Sequence, residues 1–169
     1  MTNLKIIRPP AGDGEFHAVK AVVTAAFGRA DEAGLVDGLR ADNAVVCELV
    51  AMRNDSILGH VLFSALGVEP AELKLAALAP VSVLPTHQRE GLGTVLIEAG
   101  HDYLRQAGWD GVAVLGDPAY YGRFGFTVDA ARNLSSEFSG QYYQALEFQP
   151  DALDGGPWRI TYPRAFGDL

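Results

Sequence analysis

The chain carries one cysteine, Cys47, in 169 residues. A single thiol excludes an internal disulfide and a thiolate metal cluster. Cys47 sits in the apolar run 44–50 and is expected to be a packed core residue. No hydrophobic run approaches the length of a membrane span, and residues 1–10 contain no hydrophobic signal core. The cytoplasm is therefore the expected compartment, with no membrane partner. Basic residues are scarce, 13 against 21 acidic ones, for a formal net charge of −8. That balance argues against non-specific nucleic-acid binding and mildly favours a cationic substrate, although a solubilising acidic surface is the first reading of it. Gly-x-Ser-x-Gly, His-Glu-x-x-His and Gly-Lys-Ser/Thr are all absent. His17, His60, His87 and His101 are too scattered to propose a metal site, so no metal is expected.

What remains is an ordinary globular composition, 49% apolar and 20% charged. This length suits one domain that buries roughly 70% of its unfolded surface. Residues 4–8 read as a short strand stopped by Pro9 and Pro10. Phe16, Val19, Val22, Val23, Ala26 and Phe27 recur at helical spacing over 14–27. Asp31 is expected to cap a second helix running to Arg40. Residues 45–53 and 57–68 read as strands joined by the turn Asn54-Asp55-Ser56. Residues 75–84 form a third strand, apolar nearly throughout, and so central and covered on both faces. Pro80 within it cannot donate to a sheet ladder and predicts a bulge or local splaying.

A helix should follow from Leu92 to Gly108, burying Leu92, Val95, Leu96, Ala99, Tyr103, Leu104 and Ala107. A short strand over 112–115 and a short helix over 118–123 come next. Phe124-Gly125-Phe126 should lead into a strand, and 141–148 and 158–162 read as two more. Residues 132–140 read as a connecting loop.

The most informative stretch is Val81-Ser82-Val83-Leu84-Pro85-Thr86-His87-Gln88-Arg89-Glu90-Gly91-Leu92-Gly93-Thr94. A strand ends at a proline, a polar turn with two glycines follows, and an amphipathic helix begins. Free N–H groups at a helix N-terminus, with the positive end of its dipole, favour phosphate. A dinucleotide fingerprint would need a third glycine where Leu96 stands, so a nucleotide-dependent oxidoreductase is a weak alternative.

The spacing Gln88-Arg89-Glu90-Gly91-Leu92-Gly93 resembles the acetyl-CoA-binding motif of the GNAT acetyltransferases. Tyr120-Tyr121-Gly122-Arg123-Phe124-Gly125-Phe126 is similar to the family's second signature, an aromatic residue four positions before Gly-Phe. The run Gly-Asp-Pro-x-Tyr-Tyr-x-Arg-Phe-Gly-Phe and the tail 158–166 look like a bacterial group of predicted N-acetyltransferases within it. The resemblance implies one domain over 1–169, with a core at about 4–148 and a C-terminal strand extension over 149–169. It implies an α/β (α+β) fold with a mixed, mostly antiparallel sheet, splayed at the cofactor site and covered by helices on both faces.

The resemblance further implies acetyl-CoA as co-substrate and a primary amine, small or on a protein, as acceptor. The amine would attack directly in a ternary complex. Backbone N–H groups from Arg89 to Thr94, through Glu90, Gly91, Leu92 and Gly93, would wrap the pyrophosphate, with the Thr94 hydroxyl added. The pantetheine arm would pair with the main chain near Val81 and Val83, and an N–H near Ser82 or Val83 would hold the oxyanion. Tyr121 would be the general acid for the leaving thiolate, while Tyr120 faces elsewhere. Asp117 either caps the short helix or touches the cofactor. Residues 75–84 have no ionisable side chain, so a base must come from elsewhere: Glu32, Asp31 and His60 are candidates, with Ser82 as a relay. A CoA-binding sensor domain without catalysis is the alternative class. Either a monomer or a homodimer is compatible with the sequence.

Overall fold

The computed structural model describes residues 6–70 and 73–168. Strand β1 (Ile6–Arg8) occupies the described part of the first expected strand; residues 4 and 5 lie outside the described residues. Helix α1 (Gly12–Phe27) buries Val19, Val22 and Val23 and ends at Gly28, whose φ of 71° lets its N–H donate to the Thr24 carbonyl. Helix α2 (Asp31–Ala41) has Ala30, not Asp31, at its N-cap. Asp31 sits one position inside, where its charge still suits the dipole but its side chain caps nothing.

Strands β2 (Val45–Arg53) and β3 (Ser56–Ala65) form the expected hairpin. Asn54 and Asp55 have φ of 52° and 62°, the left-handed pair that a tight two-residue turn needs. The strand expected to run on to residue 68 stops earlier. The chain leaves the sheet at Leu66, whose N–H donates to the Leu75 carbonyl at 3.0 Å. Strand β4 (Gly67–Glu69) then pairs with β9 (Trp158–Thr161), which also pairs with β7 (Leu134–Ser135). The expected 132–140 loop thus contributes a strand to a second, three-stranded sheet. After Phe126 only one isolated bridge forms, Thr127 with Ala145, in place of the expected strand.

The main sheet has the order β1-β2-β3-β5-β6-β8, with β5 (Leu75–Val83), β6 (Gly111–Leu115) and β8 (Tyr143–Glu147). Only β5 and β6 run parallel. Helices α1 and α2 cover one face around Val50, Leu62, Leu75 and Tyr143. Helix α3 (Leu92–Gln106) covers the other around Ala51, Phe63, Leu78 and Val112.

The buried stripe of α3 is Leu92, Leu96, Ile97, Gly100, His101 and Leu104, rotated from the expected one. Gly100 is the cause: a Cβ there would lie 2.1 Å from Phe63 Cε2, so the bare backbone admits that ring. Tyr103, expected inside, is turned out and 53% exposed.

The irregularity at Pro80 shapes the sheet. Val61 opposes Val81 and Phe63 opposes Leu78, so β5 takes one residue more than β3 between those points. This is a bulge, placed where proline has no N–H to offer. Pairing of β5 with β6 runs from Leu75↔Gly111 to Ala77↔Ala113 and ends there. Beyond it the two strands part, leaving residues 78–83 of β5 without a neighbour on that side.

Candidate active site

The parted strands open into a cleft of about 620 Å³, lined among others by Val81, Val83, Gln88, Arg89, Gly91, Leu92, Gly93, Thr94 and Tyr120. One wall is β5. Leu84 N–H donates to the Leu58 carbonyl at 2.8 Å, toward β3. Backbone groups alternate in direction along a strand, so those of Val83 and Val81 point away from β3, into the gap. By the same alternation the Ser82 backbone faces β3, opposite its partner His60. The Val83 N–H, rather than that of Ser82, is therefore the one aimed at the opening.

The far end of the cleft is the turn into α3. A single 3₁₀ turn, Pro85–His87, carries the chain out of β5. Gln88 reaches back, its Nε2 donating to the Val83 carbonyl at 3.1 Å. Arg53 and His87 both approach the Glu90 carboxylate at 3.5 Å and anchor the turn. Arg89 and Gly91 take φ of 65° and 83°. Gly91 is the N-cap of α3 and no side chain caps it, so the first N–H groups of the helix face the cleft with the positive end of the dipole. A Cβ on Gly93 would lie 3.0 Å from the Tyr120 hydroxyl, which shows how closely that ring approaches the helix. Arg89, Arg123 and His87 line the cleft, and among the described residues that line it there is no carboxylate. On a chain of net charge −8, this local basic lining suits an anion.

The third wall follows β6. Asp117 caps α4 (Pro118–Tyr121), accepting from the Ala119 N–H at 2.9 Å. Tyr120 lines the cleft, with Arg123 over its ring at 4.6 Å, so the expectation that it faces elsewhere is corrected. Tyr121 packs instead on Gly116 at the end of β6 and stands edge-on to Tyr120 and Phe126. Burial, with Tyr120 beside it, pushes the Tyr121 phenol up to about 12, so it keeps its proton at neutral pH.

Other ionisable groups lie apart from this cleft. Asp31 and Glu32 both pair with Arg29, Arg29 Nε reaching Glu32 Oε1 at 3.0 Å. Asp37 lies between Lys20 and Arg40, and Arg132 pairs with Asp129 and Asp154. Cys47 is buried and its thiol is pushed up to about 11, first by that burial and then by Glu48. Among the described residues no three His, Cys, Asp or Glu side chains are grouped as metal ligands would be. No described helix is long and apolar enough to cross a membrane.

Sequence reasoning named His60 as a candidate base but missed its partners. His60 is fully buried and its Nε2 lies 2.8 Å from Glu48 Oε1. Glu48 is also held by Arg40, with Arg40 Nε 3.2 Å from Oε2. Burial raises the Glu48 carboxyl, but the hydrogen bonds from His60 and Arg40 outweigh it and hold it below its usual value. Burial lowers the His60 imidazole. A Glu and a His twelve residues apart on adjacent strands gave one signal: both are charged or polar where β2 and β3 otherwise read as apolar.

A strand–turn–helix anion site opening into a gap between parted parallel strands defines a class. Residues 7–128 match the family model described as an acetyltransferase (GNAT) domain, and the chain belongs to that family. It is 32% identical over 151 residues to the uncharacterized N-acetyltransferase YhbS of Escherichia coli strain K12, covering 88% of this chain and 90% of that one. The solved structure of E. coli YhbS in complex with CoA superposes with a TM-score of 0.88 at 30% identity, covering 96% of this chain and 92% of the other. A GNAT family acetyltransferase from Brucella melitensis in complex with acetyl-CoA gives a TM-score of 0.81 at 36% identity, covering 97% and 99%.

Proposed function

We propose that the protein transfers the acetyl group of acetyl-CoA to a primary amine, by direct attack in a ternary complex. One observation carries this reading: the uncapped N-terminus of α3 and the unpaired edge of β5 face the same cleft. The N–H groups from Arg89 to Thr94 suit a pyrophosphate, and glycine at 91 and 93 keeps side chains out of its way. The edge of β5 at Val81 and Val83 suits the amide groups of pantetheine, which would add to the sheet as a strand does. Complexes of YhbS with CoA and of the Brucella protein with acetyl-CoA support the choice of ligand.

The chemistry follows from that pose. The thioester carbonyl lies in the gap, where the Val83 N–H can donate to the oxyanion that forms on attack. Tyr121, protonated at neutral pH, is the proposed donor to the leaving thiolate. Tyr120 lies nearer the helix N-terminus, and its place is beside the phosphate-proximal part of the cofactor. The test is release of free CoA thiol from acetyl-CoA, with and without a panel of primary amines. Amine-dependent release supports transfer. Tight acetyl-CoA binding with no release by any amine would instead favour the sensor reading and refute this one.

A further inference from the structure

We propose that the amine loses its proton through Ser82 to His60, with Glu48, itself anchored by Arg40, holding the imidazole. The proposal rests on the acetyltransferase reading and supplies the base that β5 lacks. Among residues 78–83, the part of β5 beyond the split, Ser82 is the only one with a polar side chain. Its neighbours Val81 and Val83 line the cleft, while its own buried side chain stands on the other face of β5, so an amine would meet it from the α1/α2 side of the split. Ser82 and His60 are directly opposed across β5 and β3, so their side chains share the α1/α2 face. Both are buried, and each has a polar atom without a hydrogen-bond partner, Ser82 Oγ and His60 Nδ1. Buried polar atoms of this kind are costly unless something meets them. The two atoms do not bond each other in the resting structure; a relay gives both a partner once the amine is present, with Oγ turning to donate to Nδ1 as it accepts from the substrate.

The other ring nitrogen is already occupied. His60 Nε2 donates to Glu48 Oε1 at 2.8 Å, which leaves Nδ1 with its lone pair. Glu48 from β2 and Arg40 from α2 are the charged groups that face the imidazole. From α1, the Phe16 ring centroid lies 3.9 Å from Cζ of the Arg40 guanidinium and packs on that cation. Glu48 is thus placed to stabilise an imidazolium when it forms.

The step balances as follows. The ammonium gives one proton to Ser82 Oγ as the Ser82 hydroxyl proton passes to His60 Nδ1. The free amine forms the C–N bond and the C–S bond breaks. Sulfur takes a proton from Tyr121, which takes the second proton of the amine. The products are the amide, CoA thiol and one proton, which leaves His60 for solvent.

The experiment compares wild type, S82A, S82T and S64A with an amine from the panel for which chemistry limits the rate. Ser64 is also buried on β3 with a partnerless hydroxyl, and serves as the structural control. S82A should lower kcat about 100-fold near pH 7 while leaving acetyl-CoA affinity within twofold. The deficit should shrink as pH rises toward the ~10 of the free ammonium, where no base is needed. S82T should recover most of the rate, and S64A should match wild type. Independently of turnover, ¹⁵N NMR of the wild type should show His60 as the Nε2–H tautomer. The relay is overturned by an S82A loss below threefold, by S82T as slow as S82A, by a protonated Nδ1 in neutral His60, or by acetyl found covalently on Ser82. Absence of turnover by wild type with every amine removes the acetyltransferase reading itself and the relay with it.

Discussion

Gly93 separates cofactor binding from stability, because one substitution there should move the two in different directions. It occupies the first turn of α3, where a Cβ would lie 3.0 Å from the Tyr120 hydroxyl and 3.9 Å from Val83 Cγ2. Both neighbours line the cleft, so the methyl of Gly93→Ala enters the space assigned to the pyrophosphate. Tyr120 is only partly buried and can yield by the few tenths of an ångström that the methyl needs. The helix itself should gain, by up to about 1 kcal/mol, from exchanging glycine for alanine. The ligand should lose at least one charge-assisted hydrogen bond to the helix N–H groups, about 2 kcal/mol. From a micromolar wild-type Kd, on the order of −8 kcal/mol, that is a roughly 30-fold loss. Titration calorimetry with acetyl-CoA and a thermal melt of the free protein measure the two effects. A Kd within twofold of wild type in folded Gly93→Ala would refute the phosphate site at α3. By contrast, a Cβ on Gly91 meets nothing within 4 Å. Gly91→Val should act chiefly through its φ of 83°, which a branched residue does not tolerate.

Tyr121→Phe should lower kcat about 100-fold with little change in KM for acetyl-CoA, whereas Tyr120→Phe should change KM more than kcat; steady-state kinetics with an amine for which chemistry is rate-limiting checks both, and a Tyr121→Phe loss below threefold leaves that ring a packing role. Gly100→Ala should cost about 3 kcal/mol in chemical denaturation, since Phe63 has no room to retreat from a methyl that would lie 2.1 Å away. His101 packs among Phe63, Phe126 and Phe148, and burial, then Arg105, lowers its imidazole to about 4. An unfolded chain binds that proton near 6.5, so the contribution is fully present above about pH 6.5 and is lost as pH falls to about 4, at most about 3 kcal/mol. His101→Phe should flatten the melting temperature across that interval, and an unchanged slope would show that other groups set it.

The sequence was most legible where local chemistry dictates backbone shape. Asn54-Asp55, Gly28, Gly91 and Gly108 all mark turns or helix ends, because few residues tolerate a positive φ. Pro80 announced a fault in the sheet for an equally local reason. Face assignments were less legible. Register shifts at Val45/Cys47 and Ala51/Met52 break the alternation of β2, so counting by twos does not place Glu48 against His60. Helix α3 is turned by a contact with β3, and no periodicity within the helix contains that information. The small second sheet joins Glu69 to Arg159, a pairing set by tertiary folding alone. Adjacent tyrosines on a four-residue helix were indistinguishable by pattern, and only the packing of Tyr121 on Gly116 tells them apart.

The parting of β5 and β6 gives the molecule raw strand edges in the middle of its sheet. Exposed edges ordinarily invite other chains, and many proteins guard theirs with charge, proline or a covering loop. Here the guard is the place of the gap inside the sheet. Both borders of the gap are held by the three residue pairs from Leu75↔Gly111 to Ala77↔Ala113 at its closed end. A thread entering between them must be narrow along its length, since walls on either side leave no room for branches in the plane of the sheet. A polypeptide could satisfy the hydrogen bonds only if its side chains, which stand perpendicular to the sheet, found room in the layers packed above and below it. A slender, unbranched chain bearing amides at intervals satisfies them without such a cost. The same opening that would be an aggregation hazard at the rim of a sheet thus becomes, at its centre, a filter on molecular shape.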